Sequence, residues 1–223
     1  MPVRRADVID AAMELLDESG LDQLSTRRIA DRLGVRVGAI YWHVKDKDEL
    51  LAELADRVVG SCLDGVPVPD GGAEPPTAPP SAPVADPAAR LTAAAHAVRD
   101  AMLAHPDGAA LVAGHAVPGP NSLVLADRLC GIAREAGLPL PLAAVAGDTL
   151  LSYVTGFVLQ EQRRGDPLHH HPNTSVPAPG FAPDRLPHLA AALAEGLPDD
   201  DTAFAAGIDL LVTAVTSRAR PRR

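Results

Sequence analysis

The stretch TRRIADRLGVRVGAIYWHVKDKDELL, residues 26–51, decides how the rest of the chain is read. Ser25 or Thr26 suits the N-cap of a short helix, because a hydroxyl there accepts from a backbone N–H that has no partner inside the helix. Ile29, Ala30 and Leu33 follow at helical spacing, and Gly34 ends the helix. A further short helix is expected over 36–43. Asp46 and Glu49 then have the spacing of a capping box, with an aspartate as the cap, and open a longer helix over 47–63. A small residue at the crossing (Ala30), a glycine at the bend (Gly34) and an apolar plug (Ile40) make sense together as a helix-turn-helix.

An ordinary helical hairpin has the same apolar pattern but not the same charge. Between Ser25 and Lys47, Arg27, Arg28, Arg32, Arg36, Lys45 and Lys47 stand against Asp31 and Asp46 alone, a local excess of +4, whereas the whole chain carries −9 and the remainder therefore −13. Affinity for a phosphate backbone comes from cations that release its counterions. The charge distribution attracts DNA to one face and repels it from the rest.

Working outward, Val8, Ile9, Ala12, Leu15 and Leu16 recur at helical spacing and Gly20 supplies a stop. Residues 1–46 thus read as a three-helix DNA-binding domain and 47–63 as a connecting helix. Between 64 and 87 the prolines at 67, 69, 75, 76, 79, 80, 83 and 87 exclude helix and central strand through most of the segment, which reads as a linker or surface loop. Asp86 and Pro87 restart a helix in the favoured order, cap then first-turn proline, running to about residue 105. Further helices are expected over 121–136, ended by Gly137, and over 141–164. Asp184 is placed as the cap of a helix reaching 195, and one of Asp199, Asp200 or Asp201 as the cap of the last, over 200–218. No stretch alternates as a strand would. The fold class is all-α, with a larger helical domain over 88–219.

The quoted stretch resembles the DNA-binding domain of the tetracycline-repressor family, including its Tyr-Trp-His-Val-Lys run. LAHPDGA (103–109), GFVLQEQ (156–162) and AFAAGIDLLV (203–212) resemble segments of that family's regulatory domain. The resemblance implies a cytoplasmic, homodimeric transcription regulator, a repressor released from a palindromic double-stranded DNA operator by a small-molecule effector. It places the third helix in the major groove, with Thr26, Arg27, Tyr41, His43 and Lys47 on bases or phosphates. Side-chain chemistry adds Arg27 or Arg28 as bidentate guanine readers and Arg36 at the helix entrance. Val37, Gly38 and Ala39 offer only apolar contact, as to thymine methyls. Tyr41, His43 and Lys47 suit phosphate oxygens, which position without specifying. Trp42 is expected to pack beneath the recognition helix.

In the family's tetracycline–magnesium site the drug and its ion are held by two histidines, a glutamate, an asparagine and a phenylalanine. The matching positions here are Val112, Leu63, Gln160, Ala94 and Val98. Val112 and Gln160 provide neither imidazole nor carboxylate, and magnesium prefers anionic oxygen. The expected effector is therefore not tetracycline with magnesium. A mostly apolar pocket is expected instead, lined by Leu63, Ala94, Val98, Met102, Val112, Leu129, Ser152 and Gln160 and suited to a neutral or amphipathic molecule.

Other classes find little support. There is no G-x-S-x-G elbow, phosphate loop or H-E-x-x-H, so no enzyme is expected. Cys62 and Cys130 lack metal or redox spacing and read as small core side chains, and no cofactor or metal is expected. The most apolar run, 138–159, contains Pro139, Pro141 and Asp148 and reads as a buried helix rather than a membrane span. Two alternatives remain: a metal sensor using His169, His170 and His171 with His188 and Asp166 nearby, and a helical partner-binding module without DNA binding. A run of consecutive histidines is more readily a solvated tract.

Overall fold

The computed structural model describes residues 3–69, 86–114, 118–165 and 181–218. Among them every regular element is helical: α1 (Arg5–Ser19), α2 (Thr26–Leu33), α3 (Val37–Ile40), α4 (Lys47–Ser61), α5 (Pro87–Leu103), α6 (Gly108–Ala113), α7 (Pro120–Glu135), α8 (Leu140–Gly165), α9 (Pro187–Glu195) and α10 (Asp200–Ser217).

The aspartate caps form where the sequence places them. Asp86 accepts from the Ala88 N–H at 3.2 Å and Asp199 from that of Thr202 at 2.8 Å. Asp46 accepts from the Glu49 N–H at 2.8 Å, but the return bond of the box is displaced by one residue: Glu49 accepts at 2.6 Å from the N–H of Lys45. Three expectations need correction. The third helix is one α-turn, Val37–Ile40, after which the His43 N–H bonds the Ile40 carbonyl in a tighter turn. Asp184 does not cap α9; it lies in a 3-10 turn, Pro183–Arg185, and the helix begins on Pro187, whose missing N–H costs nothing in a first turn. The helix α6 was not anticipated. Pro106 disfavours helix at His105, so α5 stops at Leu103, and the chain re-enters helix through Asp107 at φ 59. A Cβ on Gly108 would lie 2.2 Å from the Met102 carbonyl oxygen, so this corner needs glycine.

One hydrophobic core runs through both halves. In the N-terminal half Val8, Ala12 and Leu16 of α1 pack with Ile29 and Ala30 of α2, Ile40 of α3, and Leu50 and Leu54 of α4, all without solvent exposure. In the C-terminal half α5, α7, α8 and α10 enclose Ala94, Leu129, Ile132, Val154, Val158, Phe204 and Ile208. The two are bridged by α4, which packs on α1 on one side and on α5, α6 and α7 on the other. Arg99 of α5 is sunk between Glu161 of α8 (3.0 and 2.6 Å) and Asp201 of α10 (2.7 Å), with its guanidinium 4.8 Å from the Phe204 ring centroid. These carboxylates raise its pKa and fix the start of α10.

The helix α8 is long and apolar enough to cross a membrane by composition, and 28 % of its most apolar window is buried. It packs on α5, α6, α7 and α10 and leaves apolar side chains such as Val145 exposed.

Candidate nucleic-acid interface and effector cavity

The reading head is built from the turn outward. The Ser25 hydroxyl, not that of Thr26, caps α2 by accepting from the Arg28 N–H at 3.3 Å. Gly34 is left-handed (φ 66, ψ 31); its N–H bonds the Asp31 carbonyl and that of Val35 bonds the Ala30 carbonyl, closing the helix in a Schellman motif. The chain is thereby turned so that Ile40 plugs the core while Val37 and Gly38 are exposed and Ala39 half-buried. A Cβ placed on Gly38 would meet nothing within 4 Å.

The cations divide into two groups. Arg27, Arg36, Lys45 and Lys47 are exposed, and their side chains form no hydrogen bond or ion pair with any described residue. Arg28 and Arg32 are engaged internally. Arg28 donates to the Ser19 hydroxyl at 2.8 Å and the Gln23 carbonyl at 3.0 Å, and Arg32 pairs with Glu14 at 3.0 Å and with Glu18. The Tyr41 and Thr26 hydroxyls stand 3.5 Å apart, joining the start of α2 to the end of the recognition turn. Behind them the Arg5 guanidinium donates to the His43 carbonyl and to Glu49 (2.9 Å) and Glu53 (3.0 Å), fixing the turn against α4. The Lys45 N–H, and then Arg5, hold the Glu49 carboxyl below the usual carboxylate range. Trp42 is 88 % exposed. The expectation that it packs beneath the recognition helix is overturned, because Ile40 and Val44 already fill that space.

The corner between α5 and α6 ties the two halves together. Gln162 of α8 donates to the carbonyls of Met102 (3.1 Å) and His105 (2.8 Å) and accepts from the Ala109 N–H at 3.1 Å. From the corner, Asp107 accepts from the Leu21 N–H at 2.9 Å and His105 Nδ1 lies 2.6 Å from Asp17 of α1.

A cavity of about 230 Å³ opens between α4, α5, α7 and α8, walled by Ala55, Val59, Val98, Met102, Leu125 and Leu151 among others. Its polar lining side chains are Asp56, Ser122 and Thr155. Asp56 is 9 % exposed and accepts from the N–H groups of Asn121 (3.2 Å) and Ser122 (2.9 Å) and from the Ser122 hydroxyl (2.9 Å). The helix α7 has no cap of its own; this carboxylate from α4 takes the place of one.

Residues 8–54 match the pattern of bacterial regulatory proteins of the tetR family, and residues 79–218 match the tetracyclin repressor-like C-terminal domain. The chain belongs to the tetR family. It is 35 % identical over 212 residues to the tetracycline repressor protein class A from transposon 1721 of Escherichia coli, covering 95 % of this chain and 89 % of that one. The Streptomyces coelicolor TetR family protein ActR, solved in complex with (S)-DNPA, superposes with a TM-score of 0.73 at 30 % identity, over 99 % of this chain and 100 % of its own. BioQ, solved with its double-stranded DNA operator, gives 0.66 at 25 % identity, over 97 % and 99 %. TetR family proteins are DNA-binding, ligand-responsive transcription regulators and not enzymes.

Within this TetR frame the residues singled out from sequence fall into place unevenly. Thr26, Arg27, Arg36, Val37, Gly38, Ala39, Tyr41, His43 and Lys47 lie on one head, whereas Arg28 is held within the domain. Of the eight pocket residues, Val98, Met102 and Val112 line the cavity. Ala94 and Leu129 are fully buried in the core, Leu63 lies beyond the end of α4, and Ser152 and Gln160 are exposed on α8. Asp56, Ser122 and Thr155 were missed, as was Gln162, two residues on from Gln160. His169, His170, His171 and Asp166 lie outside the described residues, and His188 is exposed on α9. Among the described residues no group of three His, Cys, Asp or Glu is placed to hold a metal. Burial pushes the Cys62 thiol up to about 11.

Proposed function

We propose that this protein is a homodimeric repressor that leaves a palindromic operator when a small, mostly apolar effector enters the cavity between α4, α5, α7 and α8. The observation that carries the DNA half is the set of four exposed cations, Arg27, Arg36, Lys45 and Lys47, unpaired with any described residue and set around an outward-facing recognition turn. Arg27 and Arg36 address base or phosphate, Lys47 and Tyr41 position the head on phosphate, and Val37, Gly38 and Ala39 meet base edges through apolar contact. The exposed Trp42 belongs to the same surface. Two heads about 34–36 Å apart reach successive major grooves, which requires a twofold dimer. The left-over apolar residues of α8 and α10, Val145 (58 % exposed) and Leu210 (72 %) among them, are what such a four-helix interface covers.

The effector differs from tetracycline with magnesium. Val112 offers the cavity no metal-binding group, Gln160 is outside it, and the lining holds a single carboxylate, Asp56. Magnesium demands a near-octahedral set of oxygens that these residues do not provide. An effector that favours one arrangement of α4 over another releases DNA by that differential affinity. Selection of bound sequences from random duplexes tests the reading: a palindrome should emerge, with Arg27→Ala relaxing its sequence and Lys47→Ala weakening all duplexes alike. Enrichment of no sequence over bulk DNA at moderate salt would sink it.

A further inference from the structure

We propose that the effector is an amphipathic organic cation, an ammonium group on a compact apolar body, and that Asp56 is both the group that meets its charge and the lock that its binding opens. The inference rests on the cavity being the effector site. Asp56 is the one ionisable side chain in a lining that is otherwise apolar apart from the hydroxyls of Ser122 and Thr155. Its partners are all uncharged, two backbone N–H groups and a hydroxyl, and it forms no ion pair with any described residue. The N-terminus of α7 supplies about half a positive charge, which leaves the site net negative. A buried carboxylate beside empty apolar space favours a cation over a neutral molecule of the same shape, and an anion least.

Access has the right geometry. On its other side Asp56 borders an open groove of about 930 Å³ between α1, α4 and the start of α7, and Ala52, Pro118 and Gly119 line both spaces. Glu49, Glu53 and Arg57 also line this groove, the two glutamates paired with Arg5 and Arg57 with Asp10. An ammonium entering from the groove reaches the carboxylate while its apolar body fills the cavity.

The coupling follows from what Asp56 already holds. A Cβ on Gly119 would lie 2.3 Å from the Asp56 carboxyl carbon, so the loop before α7 is shaped around this group. The Asp56 carbonyl also accepts from the Asn121 side chain at 3.1 Å. These bonds fasten α4 to α7, and α4 begins at Lys47, directly after the recognition turn. An ammonium competes for the same carboxylate oxygens as the α7 N–H groups. Its binding loosens α4 from α7 and shifts the reading head.

The test uses the full chain on its selected duplex, titrated with phenylalkylamines of graded length and with the matching phenylalkanols and phenylalkanoates. The amine should release DNA at a concentration about tenfold or more below its alcohol, with the carboxylate weakest, and should raise the melting temperature of the free protein. Asp56→Asn should remove the preference for amine over alcohol, read as the difference in the melting-temperature rise that each gives the free variant. Equal potency of amine and alcohol, no response to any of the three, or an amine preference that survives in Asp56→Asn overturns the inference. The wild-type comparison decides the charge preference even if the variant fails to fold. Duplex binding without amine preference overturns this inference alone, whereas failure to bind any duplex overturns the regulator reading on which it rests.

Discussion

Arg27 and Arg28 are adjacent and chemically identical, yet the fold gives them different work. Arg28 is held by Ser19 and Gln23 at the junction of α1 and α2, while Arg27 meets no described residue. Charged hydrogen bonds contribute about 1.5–3 kcal/mol each, a figure to discount for a half-exposed group. With that discount, Arg28→Ala should cost about 1–2 kcal/mol of folding stability in urea denaturation. Arg27→Ala should leave the unfolding midpoint within error and weaken the preferred duplex by about 1–3 kcal/mol. An equal loss of stability in both variants would contradict this division. Trp42 gives a second residue-level check, being the single tryptophan of the chain and 88 % exposed. Its emission should shift on addition of operator duplex and stay unchanged on addition of effector alone. Sequence could not separate the two arginines, because an i to i+1 step on a helix changes face while composition stays the same.

At the scale of elements, the caps and stops were legible because each follows from one residue's hydrogen-bonding capacity or dihedral freedom. Ser25, Gly34, Asp46 and Asp86 act where local chemistry places them. The corner that makes α6 was not legible. Pro106 signals a helix end, but the re-entry depends on Asp107 at positive φ and on the clamp from Gln162, fifty-three residues from the Ala109 N–H it accepts. Asp56 was missed for a related reason: on a helical wheel it reads as a surface carboxylate, and only the approach of Gly119 and α7 buries it. The Glu49 network carries a pH prediction. Its folded pKa lies below the ordinary value, so its stabilising contribution is present above the usual carboxylate range and is lost as pH falls through the folded value. Melting temperature should fall on acidification, and Glu49→Gln should flatten that dependence at its acid end. An unchanged slope would remove Glu49 from the acid response.

For the whole molecule, net charge and DNA binding are reconciled by segregation. A chain of −9 presents on its reading head four exposed cations that pair with no described residue. A dimer in which every one of them met a phosphate would show a log–log salt slope of about −7, and base contacts by Arg27 or Arg36 would make it shallower. A slope near zero would point instead to a partner-binding module. The feature with the widest reach is the recognition turn itself, one α-helical turn long, where a Cβ on the exposed Gly38 would touch nothing outside its own turn within 4 Å. Substitutions there disturb no packing, and Gly38→Ala should even favour folding. Target choice can therefore be rewritten at this turn by natural drift or by design while the helical scaffold behind it is inherited unaltered.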